Sequence, residues 1–323
     1  MSLEIRLATS AALRDAAYEL RFRVFSEEKY EFGAASIHNG RFVDYWDTFD
    51  TTCLYVLLVD GKVVTTLRCV GESDVGLPGR PYDFEPHRAA LGDGAKTSLM
   101  GRLATDPAHR GTGLGVLLQE MAISHQRALG YTHIFGLANT RYTTWWEKIG
   151  YDWLGPAIPG PGTAIELRPQ ILRLQPLPPR LAARDFCARA RLLTREARWR
   201  RFRGGETIAG TEDVSPDSSF CHEILHGEVS SQMNEGRRQD VLVAGIRLGV
   251  GAVVGDLALN RSGWPGCPPR LMVAVSEEVV TACVDGPRLN DLLRNEPEWA
   301  GQFSATLASH STTTRDHAGR RSD

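Results

Sequence analysis

The chain has 323 residues, a length that predicts two domains. With 42% hydrophobic and 24% charged residues it has ordinary globular composition, which excludes a chain disordered throughout, a collagen and a coiled coil. The formal net charge of −2 gives no field that would draw the protein to nucleic acid.

Six scattered cysteines with no C-x-x-C pair read as thiols of a reducing compartment. The first residues, MSLEIRLATS, hold no apolar run, so no secretory signal is expected and the expected location is cytoplasmic. The most apolar stretch, 241–259, holds Arg247, Asp256 and several glycines, so no membrane span is expected.

In chain order, Ser10 is placed to cap a helix from Ala11 to Glu28, with Leu13, Ala17, Leu20 and Val24 on one face. Cys53–Val59 and Val63–Val70 are β-branched apolar runs joined through Asp60-Gly61, a hairpin signal. Ser98–Thr105 reads as a strand ending at Asp106-Pro107. A helix follows from Gly113 to Ala128, stopped by Gly130. Thr132–Ala138 is a further strand, and Arg141–Ile149 a short helix closed by Gly150. Strands mixed with crossover helices predict an α+β domain around a mixed sheet over residues 1–170. Seven prolines between Pro156 and Pro179 predict a linker over 171–183, where regular structure is hard to continue. Beyond it, Arg200 to Val284 is glycine-rich with short apolar runs, the pattern of a small β-barrel or sandwich. Leu181–Trp199 and Pro287–Asn295 read as helices flanking it. Residues 304–323 are polar and are expected to form a disordered tail.

The sharpest local feature is the run Leu103-Ala-Thr105-Asp106-Pro107-Ala-His-Arg110-Gly111-Thr112-Gly113-Leu114-Gly115, which ends a strand and opens a helix. Glycines let the backbone aim successive N–H groups at one point, and a helix N-terminus adds roughly half a positive charge. Together they suit a pyrophosphate. The Gly-Lys-Ser/Thr ending of a Walker loop and the G-x-G-x-x-G of a dinucleotide loop are both missing.

This stretch resembles the pyrophosphate loop of the GNAT acyltransferase superfamily, R/Q-x-x-G-x-G/A, through Arg110, Gly113 and Gly115. Asn139 and Gly150-Tyr151 match the family's later Asn and Gly-aromatic pair. The resemblance implies an acetyl-CoA or longer acyl-CoA donor. Leu103 and Thr105 would hold the pantetheine, Arg110, Gly111, Thr112, Gly113, Leu114 and Gly115 the pyrophosphate, and Asn139 would lie beside them. A backbone N–H near Leu103 would stabilise the oxyanion. The family's frequent general-acid Tyr falls on Trp146, whose indole donates a hydrogen bond but shuttles no proton. Tyr142, one helical turn earlier, is the candidate acid, with plain packing as its alternative.

A second resemblance is to the acyl-homoserine-lactone and N-acyl amino acid synthase branch of the same superfamily. It rests on Arg21-Phe-Arg23-Val24-Phe25, Asp47-Thr-Phe49-Asp50, Arg68 and Arg102, while Leu99 stands where that branch favours Glu. It implies an acceptor site shaped by Arg23, Phe25, Arg68 and Arg102, with Asp47 and Asp50 holding an amine and accepting its proton. The acceptor would be a small amine, an amino acid or a protein lysine.

In the second part, Gly205-Glu206, Phe220, Gly227, then Gly251 to Leu259 and Pro269-Arg270 follow the order of a cyclic nucleotide-binding β-roll, which they resemble. The resemblance implies cAMP or cGMP as effector over residues 184–303, with Gly255, Asp256, Leu257, Ala258 and Arg270 as the phosphate cassette. Asp256 replaces the usual Glu, and the Ser/Thr expected after Arg270 is missing. One rival enzyme class remains. His222-Glu223-Ile-Leu-His226 spells the H-E-x-x-H of a zinc hydrolase, which needs a helix, whereas the β-roll makes this segment a strand closed by Gly227. No metal site is assigned. The remaining alternative is a non-catalytic CoA and cyclic nucleotide sensor.

Overall fold

A computed structural model describes residues 3–28, 37–73, 77, 81–160, 165–183, 198–209, 220–233, 246–248, 253–255, 270–298 and 300–302. The chain forms two compact units, one of residues 5–185 and the other of residues 186–323 together with residues 2–4.

The chain opens with β1 (Leu3–Leu7), whose alternating Leu3 and Ile5 are buried. Ser10 accepts a hydrogen bond from the Leu13 backbone N–H at 3.3 Å and starts α1 (Ala11–Glu27). Ala17, Leu20, Arg21, Val24 and Phe25 form its buried face, at helical spacing. A small hairpin, β2 (Ile37–His38) and β3 (Arg41–Phe42), leads to the 3-10 turn Tyr45–Thr48. The long hairpin follows, β4 (Thr52–Val59) and β5 (Lys62–Gly71), and both turn residues, Asp60 and Gly61, are left-handed at φ +48° and +80°. After α2 (Glu85–Ala89) come β6 (Thr97–Thr105), α3 (Leu114–Ala128), β7 (His133–Asn139) and α4 (Thr143–Ile149). Two short strands, β8 (Asp152–Trp153) and β9 (Ile158–Pro159), precede β10 (Glu166–Arg173) and α5 (Pro179–Ala183).

The sheet order is β1-β4-β5-β6-β7-β10-β8, with β9 also on β10. Only β6 and β7 are parallel among the registers β4–β5, β5–β6, β6–β7 and β7–β10. This is the expected mixed sheet with flanking helices, an α+β fold. The α1 face packs on Leu54, Val56, Leu58 and Val63. The opposite face carries Tyr55, whose hydroxyl lies 2.7 Å from His125 Nδ1 on α3 and accepts from Gln126 Nε2 at 3.0 Å.

The proline cluster did not stop the sheet. β10 contains Pro169 and runs to Arg173, across the expected boundary at 170. Proline removes one donor, but its carbonyl still accepts from the Leu154 N–H at 2.9 Å. Leu172, Leu174 and Leu181 are buried, so the segment 171–183 belongs to the first unit rather than forming a free linker. Residues 304–323, expected to be disordered, lie outside the described residues.

The second unit contains β11 (Arg198–Arg203), β12 (Thr207–Ala209), β13 (Phe220–His226), β14 (Val229–Met233), β15 (Ile246–Leu248), β16 (Val253–Gly255), β17 (Arg270–Ala274) and β18 (Glu278–Asp285), then α6 (Gly286–Asn295). Trp199 begins in a strand, not the expected helix, and the rest of that expected helix, 184–197, lies outside the described residues. The orders β16-β13-β18-β11 and β12-β17-β14-β15 give antiparallel sheets. Ile208, Ile224, Val229, Ala274 and Val279 form a core between them. Gly227, at φ +83°, turns the chain from β13 in one sheet to β14 in the other, and a Cβ there would stand 2.4 Å from the Glu278 carbonyl oxygen.

Candidate functional site

The site begins where two parallel strands part. β6 and β7 are in register from Thr97/His133 to Met100/Gly136, and the pairing ends there. The outer part of β6, Gly101 to Thr105, stays on β5 but through a bulge. Arg68 pairs with Gly101 and Thr66 with Ala104, so Arg102 and Leu103 face the single residue Leu67. Arg102 takes the bulge's left-handed conformation, φ +59°, rare for a residue with a side chain. The result is a wedge-shaped opening with the half-buried Leu103 and Thr105 on one wall and Leu137 to Asn139 on the other.

At the mouth of this opening lies the glycine loop. Asp106 caps a tight turn by accepting from the Ala108 N–H, and Thr112 donates to the His109 carbonyl at 2.6 Å. Gly111 and Gly113 are left-handed at φ +74° and +83°. Gly113 is the N-cap of α3 and offers no side chain, so the first N–H groups of a 15-residue helix have no side-chain cap. Leu114 is buried and anchors the helix start, while Gly115 lies against the Thr105 hydroxyl. Arg110 is engaged, its Nη2 3.0 Å from Glu28 and its Nε donating to the Thr105 carbonyl. Asn139 accepts from the Arg141 N–H and so caps the turn that leads into α4. Tyr142 is 57% exposed.

On the α1 face, next to the bulge, sits a buried charge cluster. Arg21 Nη1 donates to both oxygens of Asp47, at 2.9 and 3.0 Å. Arg68 bonds to Asp44, and Arg102 Nε donates to the other oxygen of Asp44 at 2.9 Å. Asp44 and Asp47 also cap the 3-10 turn reciprocally. Burial works to raise the Asp44 carboxyl, but Arg68 and Arg102 overcome it and hold it at about 2. Arg102 also lies over the Phe42 ring, 5.0 Å from its centre. Three guanidinium groups against two carboxylates leave one net positive charge.

The structure therefore moves the acidic pair by three residues. Asp44 and Asp47 share the arginines, while Asp50 is exposed in a turn. Asp47 is almost fully buried with its carboxylate committed to Arg21, which leaves no lone site for an amine proton. On α1 it is Arg21, not Arg23, that enters the cluster, and Arg23 is on the surface in an ion pair with Asp106. Phe25 is buried against Phe42, ring edge to face at 5.8 Å, as part of the core. Arg68 and Arg102 are brought together as expected of one site. The signal that would have found Asp44 is the D-x-x-D capping box itself, read one step earlier in the chain.

In the second unit, Gly255 ends β16 and Arg270 begins β17. Asp256, Leu257 and Ala258 lie outside the described residues, as does the Arg270 side chain. The H-E-x-x-H segment is β13, a strand, so His222 and His226 do not share a helix face. His222 is fully buried with Nδ1 3.0 Å from the Thr281 hydroxyl, and burial lowers its pKa to about 3.

A family model described as N-acyl amino acid synthase FeeM matches residues 16–167, a little under half of the chain. A search of curated proteins finds no match. Among solved structures, FeeM, an N-acyl amino acid synthase from uncultured soil microbes, is 14% identical, covers 54% of this chain and 93% of its own, and has a TM-score of 0.47. BjaI, a CoA-dependent acyl-homoserine lactone synthase solved with MTA, is 15% identical over 57% of this chain and 88% of its own, at 0.45. Escherichia coli ElaA is 14% identical over 53% and 99%, at 0.40. At these scores the structural likenesses carry no weight on function. The family match supports acyltransferase-type chemistry for the N-terminal region. Among the described residues no helix is long and apolar enough to cross a membrane.

Proposed function

We propose that the first unit is an acyl-CoA-dependent N-acyltransferase acting on a small amine-bearing acceptor, an amino acid foremost. The observation that carries this reading is the β6–β7 opening with an uncapped helix N-terminus at its mouth. The α3 N–H groups and the left-handed glycines suit the pyrophosphate. The pantetheine arm would run along Leu103 and Thr105, beside the β6 bulge, and a backbone N–H near Leu103 would stabilise the oxyanion. The acceptor nitrogen, having lost a proton to water, attacks the thioester carbonyl carbon. A C–N bond forms, the C–S bond breaks, and the thiolate leaves and is protonated by solvent. A thiolate of ordinary pKa, ~8.5, needs little help from an acid, which is why an exposed Tyr142 is not required. The net positive charge beside the bulge suits an acceptor that carries a carboxylate, with the partly exposed Arg102 as its contact. Calorimetry with acetyl-CoA and octanoyl-CoA tests the donor site. Binding weakened in Gly113→Val supports it, and equal binding in that variant contradicts it.

For the second unit we propose a regulatory module of the cyclic nucleotide type. Its two antiparallel sheets around an apolar core support that reading. Titration of cAMP and cGMP into the whole protein tests it. Heat of binding that disappears in Arg270→Ala supports the site, and no heat at millimolar nucleotide contradicts it.

A further inference from the structure

The hairpin of β4 and β5 sets two cysteines directly opposite each other. Cys53 and Cys69 are register partners, and both are free thiols. The Leu54 carbonyl turns away to accept from the Ala8 N–H at 2.8 Å, and the Gly71 N–H donates to the Thr51 carbonyl at 3.1 Å. By the alternation of an antiparallel ladder, Cys53 and Cys69 therefore form a hydrogen-bonded pair, with α-carbons about 5.5 Å apart and both side chains on one face. That separation lies inside the range a disulfide spans, roughly 4.4–6.8 Å. Drawing the β-carbons from about 5 Å to about 4 Å asks for a shift of about an ångström. Among the described residues this is the one opposed pair of cysteines. In the second unit Cys221 opposes Val284 and Cys283 opposes His222, so those two side chains leave opposite faces of their sheet. Cys187 and Cys267 lie outside the described residues.

The two thiols differ in access and in surroundings. Cys69 is fully buried, whereas Cys53 is partly exposed. Both face α3, because Tyr55, two residues along β4, meets His125 and Gln126 there. Burial pushes both thiols above their ordinary range. At Cys53 hydrogen bonds with the Tyr55 and Gln126 side chains oppose that push and favour the thiolate. At Cys69 the neighbouring Cys53 adds to the push, against the charge of Arg68. One thiol is thus open to a small oxidant, and a shielded thiol stands beside it. A sulfenic acid with no thiol beside it oxidises onward to acids that are not readily recovered, whereas a facing thiol condenses with it to a reducible disulfide.

We propose that Cys53 and Cys69 are a redox modification site, in which Cys53 reacts with hydrogen peroxide and Cys69 resolves the product into a cross-strand disulfide. The Cys53 sulfur attacks one peroxide oxygen, the O–O bond breaks, and Cys53 becomes a sulfenic acid as one water leaves. The Cys69 sulfur then attacks the Cys53 sulfur, the S–O bond breaks, and a second water leaves. The two thiols lose two electrons and two hydrogens, and one hydrogen peroxide becomes two waters. The bond staples β4 to β5 around the Asp60-Gly61 turn, next to Arg68 of the charge cluster. This inference is independent of the acyltransferase reading.

Thiol mapping on the full chain tests it. Reduced protein is treated with a few equivalents of hydrogen peroxide, the excess is removed with catalase, and the protein is unfolded in iodoacetamide, which blocks every remaining thiol. Trypsin cuts after Lys62 and Arg68, so the two cysteines fall on different peptides. The expected result is a linked pair of those peptides, two hydrogens lighter than their sum and abolished by dithiothreitol. In Cys69→Ala, Cys53 is expected as a sulfenic acid trapped by dimedone. In Cys53→Ala, Cys69 is expected to be recovered as a blocked thiol. Recovery of both cysteines of the wild type as blocked thiols overturns the proposal. So does a wild type in which Cys53 ends as a sulfinic or sulfonic acid, or is linked to a cysteine other than Cys69. Oxidation of Cys69 in Cys53→Ala overturns the assigned order of the two steps. The wild-type map decides by itself, so a variant that fails to fold leaves the proposal falsifiable.

Discussion

Gly113 is where backbone conformation meets the proposed donor site. At φ +83° with open space around its α-carbon, a Val there meets no clash but is strained by roughly 1–2 kcal/mol, and it distorts the N–H groups proposed to hold the pyrophosphate. Gly113→Val is expected to keep the fold and weaken acyl-CoA binding, as calorimetry beside a melting curve will show. Arg110 differs, since its side chain rests on Glu28 in an exposed pair that contributes at most about 1 kcal/mol. Arg110→Ala should leave stability nearly unchanged but lower acyl-CoA affinity by about 10- to 100-fold through a lost charge-assisted bond. The buried pair behaves in the opposite sense. Arg21→Leu removes both Arg21 hydrogen bonds from the buried Asp47 carboxylate, leaving it Arg68 at 3.4 Å and the Asp44 N–H, and is expected to destabilise the first unit by about 1–3 kcal/mol in urea unfolding. His125 adds a pH dependence. Burial holds its pKa at about 4, below the ordinary 6.5. As pH falls from about 6.5 to about 4 the unfolded chain gains a proton that the folded chain refuses, so stability falls, by at most about 3 kcal/mol. Asp44, held at about 2, loses its contribution only below the ordinary carboxylate range. A thermal midpoint that drops between pH 7 and pH 4 in the wild type, and less in His125→Gln, is the expected outcome. At this scale the glycine loop was legible because its requirement is local, a positive φ at a helix start. The charge cluster was legible only in outline. Two arginines and two aspartates lie at similar spacings, and only burial distinguishes Arg21 and Asp44 from Arg23 and Asp50.

Element by element, the helices and the central hairpin announced themselves through caps and turns. Ser10, Asp60-Gly61, Gly130 and Gly150 stand where α1, β4–β5, α3 and α4 begin or end. The strand that escaped the sequence was β10. Its prolines argue for irregular chain, yet Pro169 sits in a ladder where its missing N–H is tolerated and its carbonyl is used. The bulge at Arg102 also left no mark in sequence, because glycine is the residue that normally advertises a left-handed position. A test at this scale is Gly136→Val. The branched side chain would press on Gln170 and the Met100 carbonyl at the inner end of the opening. Turnover with long acyl-CoA thioesters should fall by more than turnover with acetyl-CoA, measured as kcat/KM.

For the whole molecule, the boundary lies beyond residue 173, so a chain ending at Arg168 loses most of β10 and with it the buried Gln170 and Leu172. Such a chain is expected to be insoluble, whereas residues 1–185 retain all strands from β1 to β10 and should fold and keep acyl transfer. The second unit was legible as a β-rich module from its glycines and short apolar runs. Its cassette residues rest on resemblance alone, since Asp256 to Ala258 lie outside the described residues. The central claim is that the first unit moves an acyl group from CoA to an amine. Its most direct test mixes the purified protein with acyl-CoA and a panel of amino acids and follows free thiol alongside the mass of the product. The account predicts thiol release that depends on the amine, an N-acylated product of matching mass, and loss of both in Gly113→Val. Thiol release that is indifferent to every amine, or none at all from protein that binds CoA, would contradict it.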